Sequence, residues 1–320
     1  AGVAVVQWRH GAALDAAASA QAADAATAAG RVAGSVEHTF RTIYQGLRTI
    51  ARLPGVQQIE RHGENFVGDA RCTVQELYNL LATNVAMSEV YIVPRGLDPE
   101  RIDPVTNEPE APIVTFDELI VDRRAKDAEE KADEHGEAGP EEIEIYEYRA
   151  MREQLAWFEQ HTPTASVVAG LDVPALCSRE VVTCDNSRFD ARRPDDRDRS
   201  GLVYSVPFFR PNGDLAGMIS GVVLTHALRD LLPGGTWALI DREQSYTALS
   251  HDEGPCHGSQ ALVERGAADP SLPWSQVRAL EITDSAGKWL LWGGIPAAAF
   301  AAREDVAAAA QMQVIGWILV

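Results

Sequence analysis

The sequence predicts an α/β (α+β) protein: two small modules with antiparallel sheets, mounted on a long N-terminal helix. Three observations predict this. Residues 12–53 read as one continuous helix that stops at Pro54-Gly55. An apolar β-hairpin followed by a helix occurs twice, first around 202–232 and again from 277 onward. Between these units lie Pro-, Gly- and Asp-rich connections that break periodicity. At 320 residues the chain is long enough to bury two cores. Its net charge of −19 repels phosphate backbones and anionic headgroups, which argues against a nucleic-acid or peripheral-membrane role.

The long helix is predicted from Ala12 to Leu53. Its first half is alanine-rich, which favours helix without a thick core. Its second half carries Phe40, Ile43, Tyr44, Leu47, Ile50 and Ala51 on one stripe. At 1.5 Å per residue it would reach roughly 60 Å, beyond the height of a small domain. A shorter helix is predicted over 73–83, with Thr73 as N-cap and Val74, Leu77, Leu80 and Leu81 on one side. The run 88–93 reads as a strand ended by Pro94, and 95–112 as loop. The run 113–121 reads as strand or short helix.

Residues 122–142 are nearly devoid of apolar side chains and read as a solvated acidic insertion. A helical pattern resumes over 143–161 through Ile145, Tyr148, Met151, Leu155 and Phe158. A second polar run, 185–200, mixes Asp and Arg in a way that favours local ion pairing over anion binding. The clearest unit is 201–232: a strand over 202–209, a turn at 210–214 centred on Asn212-Gly213, a strand over 215–224 and a helix over 225–232. Pro207 inside the first strand calls for an edge or a bulge. Strands at 237–240 and 246–249 begin the second module, whose hairpin joins 277–283 to 288–293. An alanine-rich helix runs from Pro296 to the end.

Both ends of the chain, Ala1–Arg9 and Val314–Val320, are apolar with a Trp, and are expected to be the margins of flanking membrane spans. The alternative is a buried first strand and a buried last turn. Cys72, Cys177, Cys184 and Cys256 are even in number, which suits an oxidising compartment, and Cys177 and Cys184 are spaced to close a short bridge. Four buried thiols are the other reading.

The stretch Tyr204-Ser205-Val206-Pro207-Phe208-Phe209-Arg210-Pro211-Asn212-Gly213-Asp214-Leu215-Ala216-Gly217-Met218-Ile219-Ser220 resembles the double Cache family. These are tandem PAS-like extracytoplasmic sensor domains of bacterial receptors. The order of long helix, Ser88–Val93 strand, two modules and final helix extends the resemblance over nearly the whole chain. It implies a signalling helix over 1–53, a membrane-distal ligand-binding module over 54–235, a smaller proximal module over 236–299, and a helix over 300–320 leading to a span. It further implies a periplasmic domain anchored in the inner membrane, a homodimer through the N-terminal helix, and a histidine kinase output first or a chemoreceptor second. No cofactor follows from it.

Amino-acid-binding members carry an Arg-x-Trp-Tyr signature and an Asp on the second hairpin strand. Neither is present; Val222 or a neighbour stands where that Asp would fall. The expected ligand is therefore a small molecule other than an α-amino acid, since an unpaired ammonium in an apolar cavity costs several kcal/mol. Tyr91, Tyr204, Ser205 and Ser220 lie on strands that would line such a cavity, each offering a hydroxyl, and are the candidate ligand-binding residues. No catalytic residue is nominated: the chain has no nucleophile elbow, His-Glu-x-x-His or phosphate loop. No metal site is expected. The loop His251–His257 gathers metal-capable side chains without helical spacing, and an enzyme or metalloenzyme using it is the competing reading.

Overall fold

The computed structural model describes residues 2–63, 70–84, 86–105, 107–114, 141–167, 172–183, 200–233, 236–250, 259–272, 274–294 and 296–318. Helix α1 spans Gly2–Ile50. It starts earlier than the alanine pattern predicted, so the apolar first residues are helical and the buried-strand alternative falls. Its last carbonyls are taken by Ala51 N–H on Leu47 O, Arg52 N–H on Thr49 O and Leu53 N–H on Ile50 O, and Pro54 then prevents continuation.

Contacts divide the chain into two units. One comprises residues 1–36, 229–281 and 288–320; the other comprises 37–228 and 282–287. In the second unit, α1 is followed by α2 (Pro54–Gln57), α3 (Ala70–Thr83), β1 (Met87–Pro94) and β2 (Ile113–Val114). Next come α4 (Glu141–His161), a 3-10 turn, β3 (Leu176–Val182), β4 (Ser200–Phe209), β5 (Leu215–Leu224) and α5 (Thr225–Asp230). The strands form an antiparallel sheet in the order β2-β1-β5-β4-β3.

Helix α4 covers one face: Tyr148, Met151, Leu155 and Phe158 pack with Tyr91, Val203, Met218 and Val222. On the opposite face, Phe40 of α1 meets Tyr204 edge-on at 5.8 Å. Both faces being covered, every residue of β5 is buried. This is why its sequence is a continuous apolar run rather than an alternation. The β4–β5 turn is closed by Gly213, whose φ of 90° favours glycine. Pro207 sits in an inner strand, yet β3 pairs β4 only as far as Leu176 opposite Ser205, and a bulge follows between Phe208 and Phe209. The proline thus occupies a local edge.

The Pro- and Asp-rich segment after β1 is held by an ionic clasp. Buried Glu110 accepts from Arg101 Nη2 at 2.8 Å and from the Asp98 N–H at 3.0 Å, with Arg61 3.2 Å away. Burial pushes the Glu110 carboxyl up, but the Arg101 and Asp98 hydrogen bonds and the Arg61 charge outweigh it and hold it below its ordinary value.

The other unit carries β6 (Thr236–Asp241), β7 (Tyr246–Leu249), α6 (Ser259–Ala268), β8 (Gln276–Ala279), β9 (Trp289–Gly294), α7 (Ala297–Ala301) and α8 (Glu304–Ile318). Its sheet order is β7-β6-β9-β8, all antiparallel. Ala238, Ile240 and Trp292 pack with Leu262 and Val263 of α6. Helix α6 was not expected, because its only large apolar residues are those two. The predicted final helix is two helices. Between them Arg303 reaches Gln21 (2.6 Å), Asp24 (3.1 Å) and Asp305 (3.0 Å). The segments 122–140 and 185–199 and the loop 251–257 lie outside the described residues. Among the described residues, no helix is long and apolar enough to cross a membrane.

Candidate functional site

In the second unit, the strand registers align Tyr91 opposite Ser220, and Ser220 opposite Ser205. These three side chains therefore share the sheet face that α4 covers. Side chains alternate along β4, so Tyr204 points to the other face, towards α1. There its hydroxyl donates to Thr283 O at 2.5 Å, and burial raises its pKa well above the ordinary value. Three of the four candidate hydroxyls are thus brought together and the fourth is turned away.

The three do not play one role. Ser205 Oγ donates to Gln154 Oε1 at 2.6 Å and lies 2.7 Å from Ser220 Oγ, while Gln154 Nε2 donates to Val203 O (2.8 Å) and Leu176 O (3.3 Å). All these side chains are buried. The serines belong to a closed network that ties α4 to β3, β4 and β5. Their polar groups are satisfied by protein alone.

Tyr91 is different. Its hydroxyl lies 2.7 Å from Glu147 Oε2 on α4 and in contact with Glu89 Oε2 on β1. Glu89 and Glu147 are 4% and 0% exposed, so two carboxylates converge in the core layer. A phenol has one proton and donates to one carboxylate at a time. Burial first, then the charges of Glu147 and Glu89, drive the Tyr91 hydroxyl well above its ordinary pKa, so it stays a donor.

Glu89, Glu147 and Gln154 were not singled out from the sequence, although a signal was there. Glu147 and Gln154 fall at positions 4 and 3 residues either side of Met151, inside the apolar stripe of α4. Glu89 alternates with Tyr91 and Val93 on β1.

The Cys177–Cys184 bridge does not fit. Cys177 is a buried thiol opposite Tyr204, and 176–182 is one extended strand rather than the tight loop such a bridge would close. Cys184 itself lies outside the described residues. Among the described residues no group of three or more His, Cys, Asp or Glu could hold a metal ion. The competing His251–His257 loop is not among them.

No family model matches the chain, and no curated protein does. Solved structures similar to it include the sensory domain of the Campylobacter jejuni chemoreceptor Tlp3 with isoleucine bound. That match has 12% identity and a TM-score of 0.46, over 90% of this chain and 97% of that one. The periplasmic sensory domain of the chemoreceptor Tlp1 from the same organism matches at 10% identity and TM-score 0.47, over 86% and 94%. The ligand-binding domain of the Pseudomonas aeruginosa chemoreceptor PctC, in complex with GABA, matches at 12% identity and TM-score 0.41, over 87% and 98%.

One expectation is overturned. An α-amino acid was excluded because β5 carries no acid, yet the Tlp3 domain holds isoleucine. In this chain, moreover, acids enter the same layer from β1 and α4 instead. Charge in a packed layer is contributed by every element that faces it, not by one strand alone. With one long helix and two antiparallel sheets, the chain has the tandem layout that its resemblance to double Cache domains implies.

Proposed function

We propose that this chain is the extracytoplasmic ligand-sensing part of a bacterial membrane receptor, and that it binds a small molecule carrying a positive charge in the unit built on β1–β5. The observation that carries the ligand class is the pair of buried acids, Glu89 and Glu147, meeting at the Tyr91 hydroxyl. A ligand ammonium brought to that point finds two buried carboxylates, one from the sheet and one from the helix, to which it can donate. It would be held by charge-assisted hydrogen bonds, which are roughly twice as strong as neutral ones.

Signalling follows from what the site joins. Glu147 sits on α4 and Glu89 on the sheet, so a ligand that draws them together favours one spacing of helix and sheet by its differential affinity for that spacing. Helix α1 packs on the other face of the same sheet and continues into the first unit. A membrane setting is supported by Val5 and Trp8 of α1 and Met312, Val314 and Ile315 of α8, all exposed large apolar residues. The two helices meet there, with His10 Nδ1 3.2 Å from Ala309 O. A homodimer through α1, and a histidine kinase or chemoreceptor output, complete the reading.

The test is calorimetric titration with the amines isoleucine, GABA and putrescine, against 3-methylpentanoate and butyrate, which keep the carboxylates of the first two and lack the amine. At least one amine is expected to bind saturably, and Glu147→Gln to weaken it at least tenfold. Failure of every amine to bind, or equal binding by Glu147→Gln, would discard the proposal.

A further inference from the structure

A second site lies in the same unit on the face away from Glu89 and Glu147. A groove of about 430 Å³ opens where α1 ends, lined by Arg48 and Arg52, with Arg210 of the β4–β5 turn also on its wall. Its floor is apolar, formed by Ala51, Val173 and Pro207. Of the unit's other arginines whose side chains are described, all but Arg41 are paired. Arg61, Arg95, Arg101, Arg149, Arg152 and Arg179 each sit on a carboxylate. Arg48, Arg52 and Arg210 make no ion pair and no side-chain hydrogen bond among the described residues. In a chain of net charge −19, with 47 acids available to 28 bases, three unneutralised guanidiniums around one groove run against the general field.

The walls are also held in place. Arg48 stacks on Tyr44, its guanidinium carbon 5.2 Å from the ring centroid, and Tyr44 in turn donates to Val173 O at 2.7 Å. The turn that carries Arg210 is closed by Gly213 N–H on Arg210 O and tied down by Ala165 N–H on Gly213 O and Leu215 N–H on Pro163 O. The backbone that frames the groove is thus preset, so ordering on binding falls mainly on the Arg52 and Arg210 side chains.

We infer that this groove binds a small organic anion, a dicarboxylate with an apolar body. The guanidinium forks match carboxylate oxygens two at a time, and the Ala51, Val173 and Pro207 floor takes the carbon skeleton. Such a ligand bridges the end of α1 to the β4–β5 turn. It therefore acts on the helix directly, and independently of the acid pair on the other face.

The experiment is titration of the intact chain at low ionic strength with phthalate, succinate and inorganic phosphate, with dimethyl phthalate as the uncharged control. Phthalate or succinate should bind saturably, and the diester should not. The double variant Arg52→Gln/Arg210→Gln should weaken binding at least tenfold while leaving the unliganded melting temperature unchanged, both side chains being exposed. Glu147→Gln should leave dicarboxylate binding intact, which separates this inference from the function proposed above. Three outcomes overturn it: no saturable dicarboxylate binding, equal binding by the double variant, or phosphate binding as tightly as phthalate.

Discussion

Replacing Gln154 by alanine removes the hub of the buried network. Three hydrogen bonds are lost: two donated by Nε2, to Val203 O and Leu176 O, and one accepted by Oε1 from Ser205. At about 0.5–1.5 kcal/mol each, these sum to roughly 3 kcal/mol, to which the void left by a 6% exposed side chain adds. Ser205→Ala keeps the shape and costs less, about 1–2 kcal/mol, because it strands only the Gln154 and Ser220 oxygens. Since the two residues share a bond, the double variant should cost about 1 kcal/mol less than the sum of the singles. Urea unfolding read by tryptophan fluorescence measures this. With a slope of about 3 kcal/mol per molar, Gln154→Ala should lower the midpoint by about 1 M. The same Ser205→Ala protein should bind its ligand with unchanged affinity. If Gln154→Ala costs under 1 kcal/mol, or if Ser205→Ala loses ligand without losing stability, the assignment of these serines to the scaffold is wrong.

Two further outcomes can be checked on the same footing. Burial raises the pKa of Asp241, whose Oδ2 lacks a hydrogen-bond partner among the described residues. A raised carboxyl pKa means that ionisation destabilises the folded state: stability is full below the unfolded value and is lost as pH rises through the folded one. Asp241→Asn should therefore gain over the parent at pH 7 and lose that gain near pH 4, as followed by urea midpoints. An equal difference at both pH values would refute it. At Gly217, an added Cβ would fall 2.2 Å from Val93 O and 2.8 Å from the Phe208 ring, so the sheet backbone itself must move. Gly217→Ala should cost at least 1–3 kcal/mol and lower the melting temperature; a neutral effect would mean that β1 and β5 are less closely paired than described.

The architecture was largely legible because the two hairpins announce themselves. Asn212-Gly213 between apolar runs fixes a turn whatever surrounds it, and the observed strands around it begin and end within two residues of those expected. Helix α6 stayed hidden because Leu262 and Val263 alone set no period; its place is decided by Trp292 and Ile240, which are distant in sequence. The site was legible only in part, for a related reason. A hydroxyl on a strand says nothing about which face it takes until the register is known, so Tyr204 and Ser205 looked alike though they point apart. Acids were sought on the strand where the resemblance put them, whereas Glu147 came from the helix packed above. Its position in the apolar stripe was the available clue.

Where β3 stops pairing, a sheet margin would ordinarily offer alternating donors and acceptors, a template on which a stray peptide could lay itself down. Pro207 brings no N–H to that margin, and the neighbouring bulge throws the following residues out of step. Polypeptide is thereby turned away from the margin beside the groove that Arg48, Arg52 and Arg210 line.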